Sequence, residues 1–146
     1  MPTAKYSSRV DLAVVAHYPH RRDRIFRMND LIQRIVNAMI RQEGEPALAD
    51  NPGNLRGAPW LTNPVILSGF WKPSSRAEGV AGLAHLIALH VAGGNTLTDF
   101  IAGHPGVYAG FAPGADGNND SVYIADVMKW ASIPDATVPL WNFIGA

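Results

Sequence analysis

The sequence of 146 residues contains no cysteine, has a formal net charge of zero and lacks any long apolar run. The absence of cysteine excludes a disulfide framework and any thiol-based zinc site. Equal numbers of basic and acidic residues argue against a general nucleic-acid binder, whose affinity comes mainly from neutralised phosphates. A helix that spans a bilayer needs about 18 or more consecutive apolar residues. We therefore expect neither a nucleic-acid partner nor membrane insertion.

The composition, with 47% apolar and 16% charged residues, is that of one compact domain. We predict a folded domain over residues 29–146 and an N-terminal extension over residues 1–28. A basic run at residues 20–24 fits either a solvated arm or a polyanion site. We predict a short strand or helix at residues 10–16, and the apolar run at residues 12–16 is too short for the core of a signal peptide. We expect the protein to be made in the cytoplasm.

The hydrophobic periodicity predicts an α+β fold that is mainly α. A first helix begins near Asn29 or Asp30, both suitable N-caps, and ends at Glu43. Residues 44–73 are rich in proline and glycine, which indicates turns. Short extended pieces around Leu55 and around residues 65–71 predict a small β-hairpin or an irregular equivalent.

Three further helices follow the hairpin. The first covers residues 75–92, where Ser75 and Glu78 have the spacing of a capping box. Its apolar residues cover nearly every face, which predicts a buried central helix. Thr96 caps a short helix, and a last helix is predicted from about residue 120 to residue 132.

Glu43 is the strongest candidate for chemistry because it lies on the apolar face of the first helix. Ile32, Val36 and Met39 recur at helical spacing, and at about 100° per residue Glu43 falls on the same side. Burial and the negative end of the helix dipole both disfavour the charged carboxylate, so we expect a raised pKa, which suits a proton donor. The alternative is a solvated glutamate in a last turn that Gly44 ends.

Other chemistries are disfavoured by residue spacing. His85 and His90 are five residues apart and diverge on their helix, and residues 116–120 begin like a calcium loop but lack its later glycine and glutamate. The sequence has no phosphate-binding loop and no serine-nucleophile motif. We predict no metal and no cofactor. A carboxylate with amide, arginine and aromatic side chains suits a carbohydrate ligand.

Several short sequence segments spread over residues 29–134 together form one recognisable pattern. Its most specific element is Asn-Pro-Gly-Asn-Leu-Arg at residues 51–56. The other segments are residues 40–44, 78–83, 94–101, 108–109, 112–113, 116–118 and 123–130, together with Phe70. This pattern resembles a lysozyme-like family found among phage virion proteins and phage-like bacterial proteins. The sequence departs from it by an apparent insertion within residues 108–113 and by Asp120, where threonine is common.

The resemblance implies the fold of lysozymes and lytic transglycosylases, and cleavage of the β-1,4 glycan strand of peptidoglycan. It implies that Glu43 is the general acid and that the 51–56 turn forms the floor of a glycan cleft. Asn51, Asn54 and Arg56 are then expected to orient the substrate. From the residues alone, the asparagines also fit turn caps and the arginine fits an ion pair.

The sequence leaves alternatives open for the opposite wall of the cleft and for the second step of the reaction. Asn118 and Tyr123 are expected on that wall, although Tyr123 also fits a core position. Asp50 is the candidate second carboxylate for hydrolysis, and it fits turn hydrogen bonding equally. Without it, Glu43 acts alone and deprotonates either water or the 6-hydroxyl of the substrate, as in lytic transglycosylases.

The alternative function is a non-catalytic structural or glycan-binding domain of a phage-like virion or a secretion apparatus, because a fold does not establish an activity. An acid at Glu43 together with an intact 51–56 turn favours the enzyme. For either function we expect the protein to reach the cell wall through a phage, a holin or a secretion system, with virion or secretion-machine proteins as partners.

Overall fold

The computed structural model describes residues 19–104, 108–112, 114 and 117–145, and the element predicted at residues 10–16 lies outside them. The fold is mainly helical with two small antiparallel sheets, as the predicted α+β class requires. No described helix combines the length and the apolar character needed to cross a membrane. The elements in chain order are α1 Pro19–Glu43, β1 Ile66–Leu67, β2 Phe70–Trp71, α2 Arg76–Ala92, α3 Leu97–Ala102, β3 Gly103–His104, β4 Tyr108–Ala109, α4 Asp120–Ala131 and a 3₁₀ turn Leu140–Phe143.

Helix α1 is longer and more enclosed than its sequence predicts. It begins at Pro19, so the predicted caps Asn29 and Asp30 lie inside it. A proline fits the first turn of a helix, and a cap residue does not end a helix whose preceding residues stay helical. Arg34 is only 25% exposed and donates a hydrogen bond to the carbonyl of Ala131. Helix α1 therefore packs against both α2 and α4.

The end of α1 is as predicted, and it fixes the position of Glu43. Gly44 adopts a left-handed φ of 67°, and its N–H donates to the Ile40 carbonyl at 3.2 Å. Glycine is the residue that takes this conformation at least cost. Glu43 is therefore the last helical residue, and the chain turns away directly after it.

The predicted hairpin is present and supports the 51–56 turn. Strands β1 and β2 are antiparallel, with Ile66 opposite Trp71. The N–H of Trp71 donates to the Leu55 carbonyl at 2.8 Å, so the turn continues the hydrogen bonding of the hairpin. Leu55 itself is in no strand, although an extended piece was predicted around it.

Helix α2 is buried along one side only. Its inner side includes Gly82 and Leu83, whereas Leu89 on the outer side is 55% exposed. The prediction of a helix buried on all sides was wrong because apolar composition alone does not set how many neighbours pack against a helix. At its start, Ser75 caps the Glu78 N–H at 3.1 Å, but the Glu78 carboxylate accepts from Ser74 rather than from Ser75.

The C-terminal half places α4 beside α1. Thr96 and Asp99 form the predicted capping box of α3. A short pairing of Gly103 with Ala109 follows α3, where the sequence predicted only a helix end and a loop. Asn119 caps α4 by accepting from the Val122 N–H. This cap orients the first turn of α4, which carries Tyr123, towards the end of α1.

Candidate active site

Glu43 is half-buried between the 51–56 turn and the first turn of α4. The side-chain amide of Asn54 donates to Glu43 Oε1 at 3.4 Å, a long and therefore weak hydrogen bond. Tyr123 approaches the same carboxyl from α4. The carboxyl is thus held from two sides by groups that come from distant parts of the sequence.

Burial raises the pKa of Glu43 above its usual value, and the contacts of Asn54 and Tyr123 lower it by less. The direction is the one that the apolar spacing of α1 predicted, with desolvation as its main cause. A carboxyl shifted this way holds its proton closer to neutral pH. It is therefore better suited to donate a proton than an ordinary surface glutamate.

Tyr123 lies under the carboxyl rather than on an open wall. It is 5% exposed, and burial together with the charge of Glu43 raises the pKa of its phenol, which stays protonated. Its hydroxyl is near enough to Glu43 for each group to shift the other's pKa. Yet it makes no hydrogen bond of standard geometry with the residues the structure describes. Because so little of Tyr123 is exposed, its hydroxyl can make little direct contact with a substrate.

Asn51 holds the turn together from inside. It is fully buried, and its amide nitrogen donates to the carbonyls of Leu55 and Trp71, both at 2.9 Å. Its amide oxygen accepts from the Leu55 N–H at 2.9 Å. The sequence predicted that Asn51 orients the substrate. In the structure its polar side-chain atoms form hydrogen bonds with the backbone instead. Asn51 therefore fixes the shape of the turn whose outer surface a substrate would meet.

Asn54 lies on the outer side of the same turn, where it lines the groove. Its backbone is left-handed with φ 51°, which asparagine tolerates better than most residues. The amide oxygen accepts from the Ala47 N–H at 2.9 Å while the amide nitrogen faces Glu43. Asn54 therefore joins the segment after α1 to the carboxyl itself.

A groove of about 670 Å³ opens over Glu43. Three predicted contacts line it, Asn54, Arg56 and Asn118. The Arg56 guanidinium lies 4.5 Å from the centre of the Phe70 ring. Phe111, which the sequence did not single out, forms another part of the wall and packs edge-on against Tyr123. The full lining is Glu43, Glu45, Pro46, Ala47, Asn54, Arg56, Phe70, Phe111, Ala112 and Asn118.

Of the two acidic residues near Glu43 in the sequence, Asp50 and Glu45, only Glu45 lines the groove. The carbonyl of Asp50 packs against Gly79 of α2, where a Cβ would lie only 1.8 Å away, and Asp50 is not among the lining residues of the groove. Glu45, which lies in the loop after α1, lines the groove with Glu43. A signal was present, since Gly44 reverses the chain and Pro46 then restricts it, which keeps both glutamates on one side.

Within the described parts of the chain, no three histidine or acidic side chains are grouped so as to hold a metal ion. A scan against protein-family models finds no match to this chain. Searches of the curated proteins and of the solved structures find no match either. The site is therefore interpreted from its own geometry.

Proposed function

We propose that this protein cleaves the β-1,4 glycan strand of peptidoglycan, with Glu43 as the general acid. The observation that carries the proposal is a half-buried carboxyl with a raised pKa, held by Asn54, at the floor of a polar groove. Perturbed carboxyls in clefts with amide, arginine and aromatic walls are typical of sites that cleave sugars. A lysozyme-like fold is part of the proposal, on the resemblance described for residues 29–134.

In the first step the protonated Glu43 donates its proton to the glycosidic oxygen. The bond from that oxygen to the sugar C1 breaks, the leaving sugar departs as an alcohol, and positive charge develops on the ring. Glu43 is left as a carboxylate, which stabilises the adjacent charge. The buried hydroxyl of Tyr123 and the amide of Asn54 then favour the ionised form, as their effect on its pKa requires.

The second step follows one of two routes, which differ in the attacking oxygen. In the first, Glu43 removes a proton from the 6-hydroxyl of the same sugar, and the oxygen closes on C1 to form an anhydro ring. In the second, water attacks C1 and a carboxylate takes its proton. The groove favours Glu45 over Asp50 for that task, because Glu45 lines it.

Arg56 and Asn118 contribute orientation in this mechanism. Both line the groove, and the Arg56 guanidinium lies over the Phe70 ring. Such a guanidinium can hydrogen-bond the acetamido carbonyls and the lactyl carboxylate of the glycan. We propose delivery to the wall by a phage or a secretion machine, in keeping with the resemblance.

The test is digestion of purified peptidoglycan, with the released fragments identified by mass spectrometry. The wild type is expected to release disaccharide fragments and Glu43→Gln none. Anhydro ends indicate the first route. Reducing ends indicate the second, and in that case Glu45→Gln is expected to lose more activity than Asp50→Asn.

Failure of the wild type to release fragments from several wall types overturns the enzymatic proposal. Retained binding of intact glycan under those conditions supports the alternative, a non-catalytic glycan-binding or structural domain. Release of fragments by Glu43→Gln at the wild-type rate overturns the role of Glu43.

A further inference from the structure

A second cavity of about 290 Å³ borders the groove over Glu43. Three residues, Asn54, Arg56 and Phe111, line both spaces, so the cavities adjoin across them. The remaining lining residues of the second cavity are Leu55, Gly57, Pro59, Trp60, Leu86 and Gly110. The two spaces therefore lie next to each other, as the binding of one chain-like ligand to both would require.

The walls of the second cavity have the chemistry that a pyranose ring requires. Apolar surface comes from Pro59, Trp60 and Leu86, while Asn54 and Arg56 provide polar groups at the shared boundary. The C–H faces of a sugar pack against apolar and aromatic surface, and its hydroxyls at the ring edge need hydrogen-bonding partners. The side chains at the boundary with the groove are polar, and the large side chains elsewhere in the cavity are apolar. This arrangement matches the polar edge and the apolar faces of a sugar ring.

Trp60 is held in one orientation by its neighbours. Its ring meets Trp71 edge-on at 5.7 Å between centroids and His85 at 5.1 Å. Gly82 leaves room for it, since a Cβ there would lie 2.9 Å from Trp60 Cζ2. Burial lowers the pKa of His85, so its ring is neutral at pH 7 and packs as an aromatic surface. A ligand that stacks on Trp60 therefore meets a ring already fixed in place, at small entropic cost.

Gly57 gives the same cavity an open side. A Cβ added at Gly57 would meet no atom within 4 Å, and its backbone does not need a left-handed φ. A larger residue at this position is therefore accommodated by the fold and projects into free space. The cavity thus offers one position, Trp60, where surface is removed by substitution, and another, Gly57, where bulk is added.

We propose that this second cavity binds a further sugar ring of the glycan strand and that Trp60 is its stacking surface. The proposal rests on the proposed function, because it assigns the same strand to both cavities. Its consequence is a dependence on length. Oligosaccharides long enough to occupy both spaces bind more tightly than those that fill the Glu43 groove alone.

The experiment measures the affinity of Glu43→Gln for N-acetylglucosamine oligomers, from the dimer to the hexamer, by calorimetry. Affinity is expected to rise with length. Adding Trp60→Ala is expected to lower hexamer affinity about fivefold to tenfold, with little effect on the dimer. Trp60→Phe, which keeps an aromatic face, restores most of the loss. Gly57→Val gives the same length-selective loss without touching Trp60 packing, which covers a failure of Trp60→Ala to fold.

Trp141 is the matched control, since it is 50% exposed on the 3₁₀ turn and lines neither cavity. Trp141→Ala is expected to leave all affinities unchanged. Equal losses for dimer and hexamer, or none in Trp60→Ala and Gly57→Val, overturn the second site. If wild-type digestion of peptidoglycan persists in that case, the proposed function stands. If no oligomer binds and no wall is cleaved, both are overturned.

Discussion

The two asparagines of the 51–56 turn are three residues apart and face opposite environments. Asn51 is fully buried, and all its side-chain hydrogen bonds go to the backbone of Leu55 and Trp71. Asn54 is half-buried at the groove, where its amide nitrogen reaches Glu43. The inner side of the turn thus fixes the backbone, and the outer side holds the acid. Changes on the two sides should therefore separate stability from catalysis.

The largest effect is expected on the inner side, from Asn51→Ala. The substitution leaves the Leu55 N–H and the Trp71 carbonyl without their partner, whereas the Leu55 carbonyl keeps the hydrogen bond from the Trp71 N–H. Buried polar groups left unpaired cost about 1–3 kcal/mol each before the structure relaxes, so we expect the free energy of unfolding to fall by about 3 kcal/mol. Urea denaturation measures it. A loss below about 1 kcal/mol would contradict the account.

The next effect concerns the contact between the turn region and α2. A Cβ at Gly79 would lie 1.8 Å from the Asp50 carbonyl oxygen, so Gly79→Ala forces the segment before the turn away from the helix. Overpacking of this kind costs about 1–3 kcal/mol, although alanine favours a helix by about 1 kcal/mol. We expect a net loss of stability in urea.

The matched control for that change is Gly57→Ala, because its Cβ would meet no atom within 4 Å. Its unfolding free energy should stay near that of the wild type. If Gly79→Ala proves as stable as Gly57→Ala, the close packing of Asp50 on α2 is not what holds the turn.

On the outer side, Asn54→Gly is expected to change activity more than stability. Glycine keeps the left-handed backbone at this position and removes only the amide. We expect a loss of activity of about threefold to tenfold, which corresponds to about 0.7–1.4 kcal/mol, the range of one ordinary hydrogen bond. The amide lowers the pKa of Glu43, so its removal raises that pKa. Because the acid must be protonated, the alkaline limb of the pH–rate profile should move to higher pH.

Asn118→Ala is the control for this profile, since Asn118 lines the groove but does not shift the pKa of Glu43. It should lower the rate and leave the alkaline limb in place. A limb that stays fixed in Asn54→Gly, or moves to lower pH, would show that Asn54 does not act on the acid.

The smallest effect is a pH dependence of stability. Burial raises the pKa of Glu43 above its usual value, so the folded state binds this proton more tightly than the unfolded state. Its contribution is therefore present below the unfolded pKa and is lost as the pH rises through the folded pKa. Glu43→Gln has no titratable carboxyl at this position, so its stability does not decrease in this way as the pH rises. Its melting temperature relative to the wild type should rise as the pH increases from about 4, near the pKa of an unfolded glutamate, and should level off once the pH exceeds the folded pKa. A constant difference would contradict the burial of the carboxyl.

Local chemistry explains what the sequence could predict. Gly44 at the end of α1 and the Thr96 cap of α3 depend on residues within one helical turn, so their patterns were sufficient. The apolar spacing of α1 likewise indicated a raised pKa for Glu43, and the direction is confirmed.

Tertiary packing explains what the sequence could not predict. Asn51 and Asn54 read alike in a turn, and only the hydrogen bond from Asn51 to the Trp71 carbonyl, twenty residues away, separates their roles. The place of Phe111 in both cavities depends in the same way on how distant segments meet. The start of α1 at Pro19 shows that a good cap residue does not by itself begin a helix.

The central claim is that Glu43 supplies the proton that cleaves the glycan. The most direct measurement is the rate at which wild type and Glu43→Gln release soluble fragments from purified peptidoglycan, with both proteins first shown to melt cooperatively. General acids contribute about a hundredfold to ten-thousandfold to the rate, so a loss in that range is predicted for Glu43→Gln. A folded Glu43→Gln variant with the wild-type rate would contradict the claim.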